Sequence, residues 1–410
     1  MPQSKKNKII HYTVGDIRSK NIYDISDDRF YTASWANTIA EKLNNHNLKY
    51  QIVPKDNVEF ECWRYETQIE NIFEKVVNNV KIKIFPAHKH LVYGVNPYTL
   101  FSEIQKEADR YNLVHHIHGI YDLFSFKFIQ EFKNSPIIVS NHGSLPPILM
   151  SNNSNFKNII KRKIKAAYFK KVVHNIDYFN PSGNSEREIL KTLLDDEKIS
   201  NNYVIGVDYE RFIPHDKTEV RKKLNIDPGS FVLAYIGSLY DLKGFDIILD
   251  VFKDLKTKIK TDLLCFGAQK NDKYYEAAVN EGAIIFEKNF ETIDISFLLN
   301  AADLFITMVY KNKEALNSIG MGVAAIEAMA LNIPVVAFSL IHYPIQEDLK
   351  YVGIIPKNLN DIIPSILEIR NNKEKYNNVR NVSKKCLDWN HILTNQLNIY
   401  NQLISKYYNP

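Results

Sequence analysis

Residues 317–337 read NSIGMGVAAIEAMALNIPVVA, a glycine turn followed by a short apolar helix and a β-branched strand. Gly320 and Gly322 allow the backbone to approach a ligand closely, and a helix that begins near Gly322 presents unpaired N–H groups at its positive end. Glu327 lies about one and a half turns into that helix, where an ionised carboxylate only accepts hydrogen bonds. Such a carboxylate suits a diol such as ribose, but the same residue could equally be an exposed helix acid.

The rest of the chain repeats this alternation of helices and apolar strands, which indicates βαβ units and parallel sheets. In the first half the predicted strands are 8–14, 49–54, 81–86, 113–119, 136–143 and 178–182. In the second half they are 230–238, 261–268, 283–289, 302–310 and 333–339. Because 410 residues exceed one ordinary core, the sequence predicts an α/β protein with two doubly wound domains.

A break in this pattern sets the predicted domain boundary. Pro214 and the charges after it interrupt the apolar rhythm within GVDYERFIPHDKTEV. We predict a first domain over 1–205, a second over 206–385, and a C-terminal helix over 386–410 that packs back on the first domain.

Composition narrows the function classes. The 52 Lys and Arg against 47 Asp and Glu give a net charge of +5, too mild to indicate a nucleic-acid partner. Cys62, Cys265 and Cys386 are far apart and lack metal-ligand spacing, which favours a reduced, cytoplasmic compartment. We expect no secretory leader and no transmembrane segment, so any membrane contact would be peripheral.

Polar or glycine-bearing turns follow several first-half strands, at the sheet edge where open parallel sheets bind ligands. Gly15, His118 and His142 lie at such strand ends. Each histidine could meet a substrate hydroxyl or be structural, and we take His118 as an acceptor-side candidate. The histidine-rich stretches 88–90 and 115–118 have no matching acid or cysteine set, so we expect no metal site.

The turn GSLYDLKG over 237–244 is the corresponding feature of the second half. Gly237 and Ser238 end a strand, and Lys243 precedes the helical run FDIILDVFKDL. An ammonium beside free N–H groups favours a phosphate at this point. Lys243 could as well be a solvated loop lysine.

A basic amphipathic pattern covers 156–173, which carries seven Lys and Arg among isoleucines and aromatic residues. Such a helix could lie on an anionic membrane surface. It could equally be an ordinary domain helix with a solvated face.

Taken together, the motifs resemble a known family. In order, they are GSLYDLKGFDIILDVF, LLCFGA, DISFLLNAADLFITM, GMGVAAIEAMALNIPVVAFS and VGIIP, with LVHHIHG, PIIVSNHG and VIGVDYERFIP before them and LDWNHILTNQLNIYNQL after them. This series resembles the retaining nucleotide-sugar glycosyltransferases of GT-B fold. Among them it is similar to the glycosyl transferases group 1, which are family 4-like. The resemblance covers nearly the whole chain and is strongest over 230–356. It implies two Rossmann-like domains facing a cleft and a C-terminal cross-over helix.

The resemblance also implies roles for individual residues. Lys243 would neutralise the donor diphosphate, Glu327 would hold the ribose hydroxyls, and His142 would contact the transferred sugar. The other implied donor-binding positions, near the diphosphate, are Gly15, Gly237, Ser238, Gly320, Met321 and Gly322. No cofactor or metal is expected beyond the UDP- or GDP-linked donor, because a cation and N–H dipoles can stabilise the leaving group.

The chain departs from the family pattern near this site. Ile319 stands at the position of the family's first glutamate, and Glu314 could substitute for that missing acid. Ser238 stands at the position of the family's strand-end arginine. Losing that arginine removes a charge-assisted contact of roughly 1.5–3 kcal/mol. Asn332 replaces the glycine after the helix, and we expect it to take the left-handed conformation that asparagine tolerates.

The leading hypothesis is a hexosyltransferase-type enzyme that moves a sugar, with retention, from a nucleotide-sugar to a glycan or lipid-linked acceptor in bacterial surface polysaccharide or glycoconjugate synthesis. The alternatives are a catalytically degenerate GT-B-like partner subunit and a GT-B sugar-nucleotide epimerase. Ile319 and Ser238 favour the degenerate subunit, whereas Lys243, Glu327 and His142 favour the enzyme.

Overall fold

The computed structural model describes residues 5–13, 34–54, 58–67, 69–90, 94–143, 156–200, 205–241, 244–287, 294–307 and 321–409. The chain divides into two compact units. The first contains Met1–Val204 with Ile392–Pro410, and the second contains Ile205–His391.

The strands of the first unit are β1 (Lys6–Thr13), β2 (Val58–Glu66), β3 (Phe73–Val77), β4 (Val80–Pro86), β5 (His88–His90), β6 (Gly94–Asn96), β7 (Tyr111–His118), β8 (Ile137–Ser140) and β9 (Tyr178–Asn180). The described residues place seven of them in one sheet, in the order β3-β4-β2-β1-β7-β8-β9, and pair β5 with β6 separately. Neighbours in the large sheet are parallel, except that β3 and β4 are antiparallel.

The helices of this part of the chain are α1 (Trp35–Tyr50), α2 (Leu100–Arg110), α3 (Leu123–Glu131), α4 (Phe156–Val172) and α5 (Asn184–Leu190). Asp122 caps the N-terminus of α3, where its carboxylate accepts the N–H of Ser125 at 2.9 Å. Its phenylalanines pack in an aromatic core with Tyr12 and Trp63. Apolar burial of this kind is the main stabilising contribution to a sheet–helix unit.

The second unit has strands β10 (Phe231–Ile236), β11 (Thr261–Ala268), β12 (Ile284–Glu287), β13 (Leu304–Ile306), β14 (Val335–Val336) and β15 (Gly353–Ile354). Its described strands form one parallel sheet in the order β12-β11-β10-β13-β14-β15. Residues 231–235 of β10 are buried without alternation, which is typical of a parallel strand covered on both faces.

The helices that follow along the chain are α6 (Lys217–Lys223), α7 (Phe245–Lys256), α8 (Tyr275–Asn280), α9 (Ile295–Leu298), α10 (Val323–Ala330), α11 (Leu349–Val352), α12 (Ile362–Asn371), α13 (Val379–Leu387) and α14 (Trp389–Tyr408). From Ile392 onward, α14 belongs to the first unit. Its Tyr400 is buried, with the hydroxyl 2.5 Å from His116 Nδ1, and its Gln396 accepts the side-chain amide of Asn180 at 2.9 Å.

The predicted fold class of two Rossmann-like α/β units is confirmed, with one wrong strand and several missing ones. The predicted strand 49–54 is wrong because α1 continues to Tyr50 and ends at Gln51, which has a φ of 52°. Strand β2 was not predicted because Glu61, Arg64 and Glu66 interrupt its apolar pattern, although all three are buried. Glu61 is paired inside the sheet with the Lys8 ammonium at 2.8 Å.

Candidate functional site

The turn after β10 begins with a glycine at positive φ. Gly237 has a φ of 144°, a conformation that favours glycine, and its N–H donates to the carbonyl of Phe266 at 2.9 Å. Ser238 is exposed, and its carbonyl accepts the hydroxyl of Tyr235 at 2.9 Å. Helix α7 begins after Gly244, as predicted, while Lys243 lies outside the described residues.

Asp272 joins this turn to the turn after β11. Its buried Oδ2 accepts the N–H of Leu239 at 2.8 Å and that of Gln269 at 3.1 Å. A carboxylate that accepts backbone N–H groups on two neighbouring turns fixes them relative to each other. Sequence reasoning missed Asp272, because GAQKND looks like an ordinary polar turn.

Helix α10 begins after Gly322, which has a φ of 84°. Met321 before it is buried, and its carbonyl accepts the hydroxyl of Ser339 at 3.4 Å. After α10, Asn332 has a φ of 65°, which confirms its predicted left-handed conformation. Gly320 lies outside the described residues, as do Gly15, Glu314 and Ile319.

Glu327 is half-buried on α10. Burial raises the pKa of its carboxyl group to about 7, and the positive charge of Arg211 acts in the opposite direction. The carboxyl group therefore changes charge near neutral pH, as a group with a tuned environment in a functional site commonly does. Arg211 belongs to the predicted domain join, and sequence reasoning gave it no role.

The structure brings His118 and His142 together in the first unit. Nδ1 of His118 lies 2.8 Å from Nε2 of His142. Nε2 of His118 lies 2.8 Å from Nδ1 of His11, a residue that sequence reasoning did not select. In the parallel register of β1 and β7, His11 is the partner of His116, and His118 follows His116 by two residues on the same face.

These imidazole rings are neutral at pH 7. Burial lowers the pKa of His11 to about 3 and that of His142 to about 4. Burial, with the neighbouring histidines as a smaller cause, holds the pKa values of His116 and His118 well below the usual range. Neutral rings have one donor and one acceptor nitrogen each, so hydrogen bonds between them satisfy both.

Three of these histidines could in principle hold a metal ion. His11, His116 and His118 each offer one nitrogen, and the three nitrogens lie within 4.8 Å of one another. The sequence argument against a metal considered the stretches 88–90 and 115–118 separately, and it did not include the strand pairing that adds His11. The absence of a metal from the reaction stays a prediction.

A second polar cluster fixes the backbone next to His142. Glu186 is buried at the start of α5 and accepts the N–H of Ser182 at 2.6 Å and the amide of Asn141 at 2.9 Å. Tyr121 also donates to this carboxylate. Burial raises the pKa of Glu186, and these donors lower it. Because Asn141 directly precedes His142, the cluster holds the strand end that presents the histidine.

Comparisons with known proteins find similar sequences and similar folds. Residues 216–385 match the family model of the glycosyl transferases group 1. Trehalose synthase of Thermococcus litoralis is 23% identical over 261 residues, 60% of this chain and 60% of that protein. The chain therefore spans about three fifths of the length of that relative. An uncharacterised glycosyltransferase of Methanocaldococcus jannaschii is 25% identical over 333 residues, 78% of this chain and 82% of that protein.

Among solved structures, the Anabaena protein HepE in complex with UDP has a TM-score of 0.62 to this chain at 14% identity, covering 96% of this chain and 100% of that one. The chain therefore has the fold of GT-B glycosyltransferases, and within its second unit residues 216–385 match the glycosyl transferases group 1.

Proposed function

We propose that the protein transfers a sugar from a nucleotide-sugar to a glycan or lipid-linked acceptor. The observation that carries the proposal is Glu327, a half-buried carboxyl group on the helix that begins at the positive-φ Gly322, within the matched group 1 domain. An ionised carboxylate beside a helix N-terminus can accept both ribose hydroxyls while the N–H groups receive a phosphate.

The donor carries a uridine or guanosine diphosphate in this proposal. The diphosphate is bound by Lys243 and by the backbone N–H groups of Gly320 and Gly322. The other donor-binding residues, near the diphosphate, are Gly15, Gly237, Ser238 and Met321. His142 contacts the transferred sugar, and the sugar is transferred with retention and without a metal or other cofactor. The complex of HepE with UDP supports a uridine nucleotide by analogy of fold.

A donor panel tests the proposal. UDP-, GDP- and ADP-sugars are each incubated with the full chain, and free nucleotide, free sugar and transfer products are quantified. Binding of the three nucleoside diphosphates is measured by calorimetry for wild type and Glu327→Ala. We expect one nucleotide to bind and its sugar to be hydrolysed or transferred, with both signals lost in the variant. If no nucleoside diphosphate binds and no nucleotide-sugar is turned over, the proposal is contradicted.

A catalytically inactive partner subunit is the second candidate, and Ser238 favours it. This exposed serine stands where the resembled family has an arginine. Removing one cation from a diphosphate site weakens charge stabilisation in the transition state more than it changes the fold. The donor panel separates the two candidates, because a partner subunit would bind nucleotide or protein without consuming donor. Product analysis with donor alone would reveal an epimerase.

We further propose that α4 binds an anionic membrane surface and brings the enzyme to a lipid-linked acceptor. Lys161, Lys163 and Lys170 are exposed on α4. Ile160 and Ile164 are 42% and 54% exposed beside them. Cations flanking exposed apolar side chains are the pattern of an interfacial helix. None of the described helices is long and apolar enough to cross a membrane.

We place this reaction in the cytoplasm. Cys62, Cys265 and Cys386 are free and buried, which is compatible with a reducing compartment.

A further inference from the structure

The short hairpin formed by β5 and β6 carries a pair of aromatic rings at the surface of the first unit. The rings of His88 and Tyr98 are stacked, with an interplanar angle of 4° and centroids 5.0 Å apart. His88 is exposed, and Tyr98 is 51% exposed. A pair that is already stacked offers a flat apolar surface to a ligand without further ordering of either ring.

The register of the hairpin fixes the direction in which this surface faces. His88 lies opposite Asn96 across the antiparallel pair, and Lys89 lies opposite Val95. Val95 packs against the aromatic core of the first unit, so the face of the hairpin that bears it points toward that core. Side chains alternate between the two faces of a strand, which places His88 and Asn96 on the outward face. We call the surface formed by His88, Asn96 and Tyr98 the hairpin platform.

The hairpin platform lies at the edge of the large sheet where open parallel sheets bind ligands. Strand β4 ends at Pro86, and the N–H of Ala87 donates to the carbonyl of Glu66, the last residue of β2, at 2.9 Å. His88 follows directly, at the carboxyl ends of the parallel strands β4 and β2. His118 ends β7 at the same edge, three strands from β4. At about 4.8 Å per strand, the ends of β4 and β7 are roughly 14 Å apart.

Polar groups flank the rings of the hairpin platform. Within the part of the chain that the structure describes, the side chains of His88 and Asn96 make no hydrogen bond. The amide of Asn96 offers a donor and an acceptor, and an imidazole nitrogen can donate or accept. A pyranose combines an apolar face of C–H groups with a rim of hydroxyls that both donate and accept. A flat ring surface with an amide beside it therefore matches a sugar unit.

We propose that the hairpin platform binds one sugar unit of an oligosaccharide acceptor, with the apolar face of that unit on Tyr98 and its hydroxyls at Asn96. The inference rests on the proposed function, which places the acceptor side of the reaction at His118. A single sugar ring does not cover the distance between the end of β7 and the hairpin. The unit on the hairpin platform is therefore remote from the hydroxyl that reacts, and the acceptor is a glycan of several sugar units.

Glycan binding is measured without donor and without turnover. The full chain is labelled with a fluorophore and applied to an array of defined oligosaccharides, and the affinities of the glycans that bind are then measured by calorimetry. We expect wild type to bind a glycan of several sugar units. Tyr98→Ala should weaken this binding by about fivefold, the loss of one aromatic contact. Tyr98→Phe keeps the ring and should keep the affinity near wild type.

A matched control is Tyr50, another exposed tyrosine of the first unit. It is 49% exposed and lies against His46, with ring centroids 4.4 Å apart. It ends α1, which returns the chain to the opposite edge of the sheet, where β2 begins. Tyr50→Ala therefore removes an equally exposed ring far from the hairpin and should leave glycan affinity unaltered. His88→Ala is a second test of the hairpin platform, and it should weaken binding because Tyr98 loses the ring that orients it.

The outcomes separate this inference from the proposed function. Equal array binding by wild type and Tyr98→Ala, or no glycan binding by either, would overturn the inference. A loss of UDP affinity in Tyr98→Ala would also overturn it, because the ring would then contact the nucleobase. In an active enzyme, Tyr98→Ala should raise KM for the long acceptor by about fivefold with kcat near wild type, and an unchanged KM would overturn the inference alone. Glycan binding that depends on Tyr98 in a protein that consumes no donor would instead contradict only the proposed function.

Discussion

The positive charge of Arg211 acts on the carboxyl group of Glu327 in the second unit. Burial raises the pKa of the Glu327 carboxyl group to about 7, and the charge of Arg211 limits that rise. An exposed glutamate has a pKa of about 4.3, so this carboxyl group titrates in a range where most acids are already charged. If Glu327 binds the ribose as proposed, its charge state links nucleotide binding to pH.

The first prediction concerns the pH dependence of UDP binding. Only the ionised form of Glu327 accepts both ribose hydroxyls, so binding below pH 7 must release a proton. Affinity should fall by up to about tenfold per pH unit below pH 7 and level off above it. Calorimetry between about pH 5.5 and 8.5 measures this slope. In Glu327→Gln, UDP affinity should depend less steeply on pH, because only the titration of the diphosphate remains. Equal slopes of affinity against pH in wild type and variant would contradict the prediction.

The second prediction concerns Arg211→Gln. Removing the cation should raise the pKa of Glu327 further, because burial then acts unopposed. The midpoint of the UDP affinity curve should move to higher pH, and affinity at pH 7 should fall a few-fold. Arg370→Gln is the control, since it removes the same charge from an exposed position on α12. A similar displacement of the midpoint in both variants would mean that net charge, and not the pair, is responsible.

The third prediction compares two glycines with similar positive φ values. Gly322 has a φ of 84° with a ψ of 137°, and Gly282 has a φ of 80°, so alanine at either position should cost about 1–3 kcal/mol of stability. A Cβ on Gly282 would meet nothing within 4 Å, which leaves backbone strain as its expected effect. Gly322→Ala should in addition weaken UDP binding by at least about tenfold, by keeping a phosphate away from the α10 N-terminus.

Urea unfolding and calorimetry on both glycine variants provide the comparison. A loss of stability in both variants with a loss of affinity only in Gly322→Ala would support a ligand at that turn. A comparable loss of affinity in Gly282→Ala would show that strain anywhere in the second unit impairs binding, and that the turn has no special role.

The strands that the sequence predicts correctly are those whose burial follows from local composition. Residues 231–236 and 261–268 are mostly apolar, and the structure has β10 and β11 there. Strand β2 is different, because Glu61 is stable in the sheet only when Lys8 lies beside it on β1. That partner is distant in sequence, so a local pattern has no signal for it.

The residues of the candidate site also fall into two groups, those that the local sequence predicts and those that depend on a distant strand. Gly322 and Glu327 belong to one contiguous stretch, and helix α10 begins after Gly322 as that stretch predicts. Asp272 and His11 act through neighbouring strands, so their contacts depend on register. The sequence around an isolated histidine or aspartate does not show which residue lies beside it on the neighbouring strand. Recognising them requires the order β2-β1-β7 and β11-β10, which is a property of the folded sheets.

The fourth prediction concerns acid stability of the first unit. The pKa values of His11, His116, His118 and His142 are lower in the folded chain than in an unfolded one. The unfolded chain therefore binds more protons below about pH 6.5, and stability falls on acidification by about 1.4 kcal/mol per pH unit for each such histidine. This loss continues until the folded pKa is reached.

His116→Gln isolates one of these contributions. Its amide can still donate to Ser140, while the titrating ring is removed. The difference in unfolding free energy between wild type and variant should shrink as pH falls from about 6.5 to 5, by about 1.4 kcal/mol per unit. Urea unfolding followed by tryptophan emission measures it. His174→Gln, at an exposed residue, is the control for the loss of a histidine. A difference for His116→Gln that changes with pH no more than the His174→Gln difference would contradict the prediction.

The fifth prediction concerns membrane binding by α4. Each exposed lysine near an anionic surface contributes about 1 kcal/mol, and this attraction is screened by salt. Sedimentation with phosphatidylserine-containing vesicles should therefore be strong at low salt and weak at high salt. Lys161→Glu with Lys163→Glu should reduce binding at least tenfold, because two attractions become repulsions.

The matched control for α4 is Lys222→Glu with Lys350→Glu, which changes net charge equally at exposed positions of the second unit. Those substitutions should leave sedimentation near wild type if α4 is the contact. Ile160→Ser with Ile164→Ser should weaken the salt-resistant part of binding, since both side chains are available to enter the interface. No binding of wild type, or binding that salt does not weaken, would reduce α4 to a structural helix with a solvated basic face.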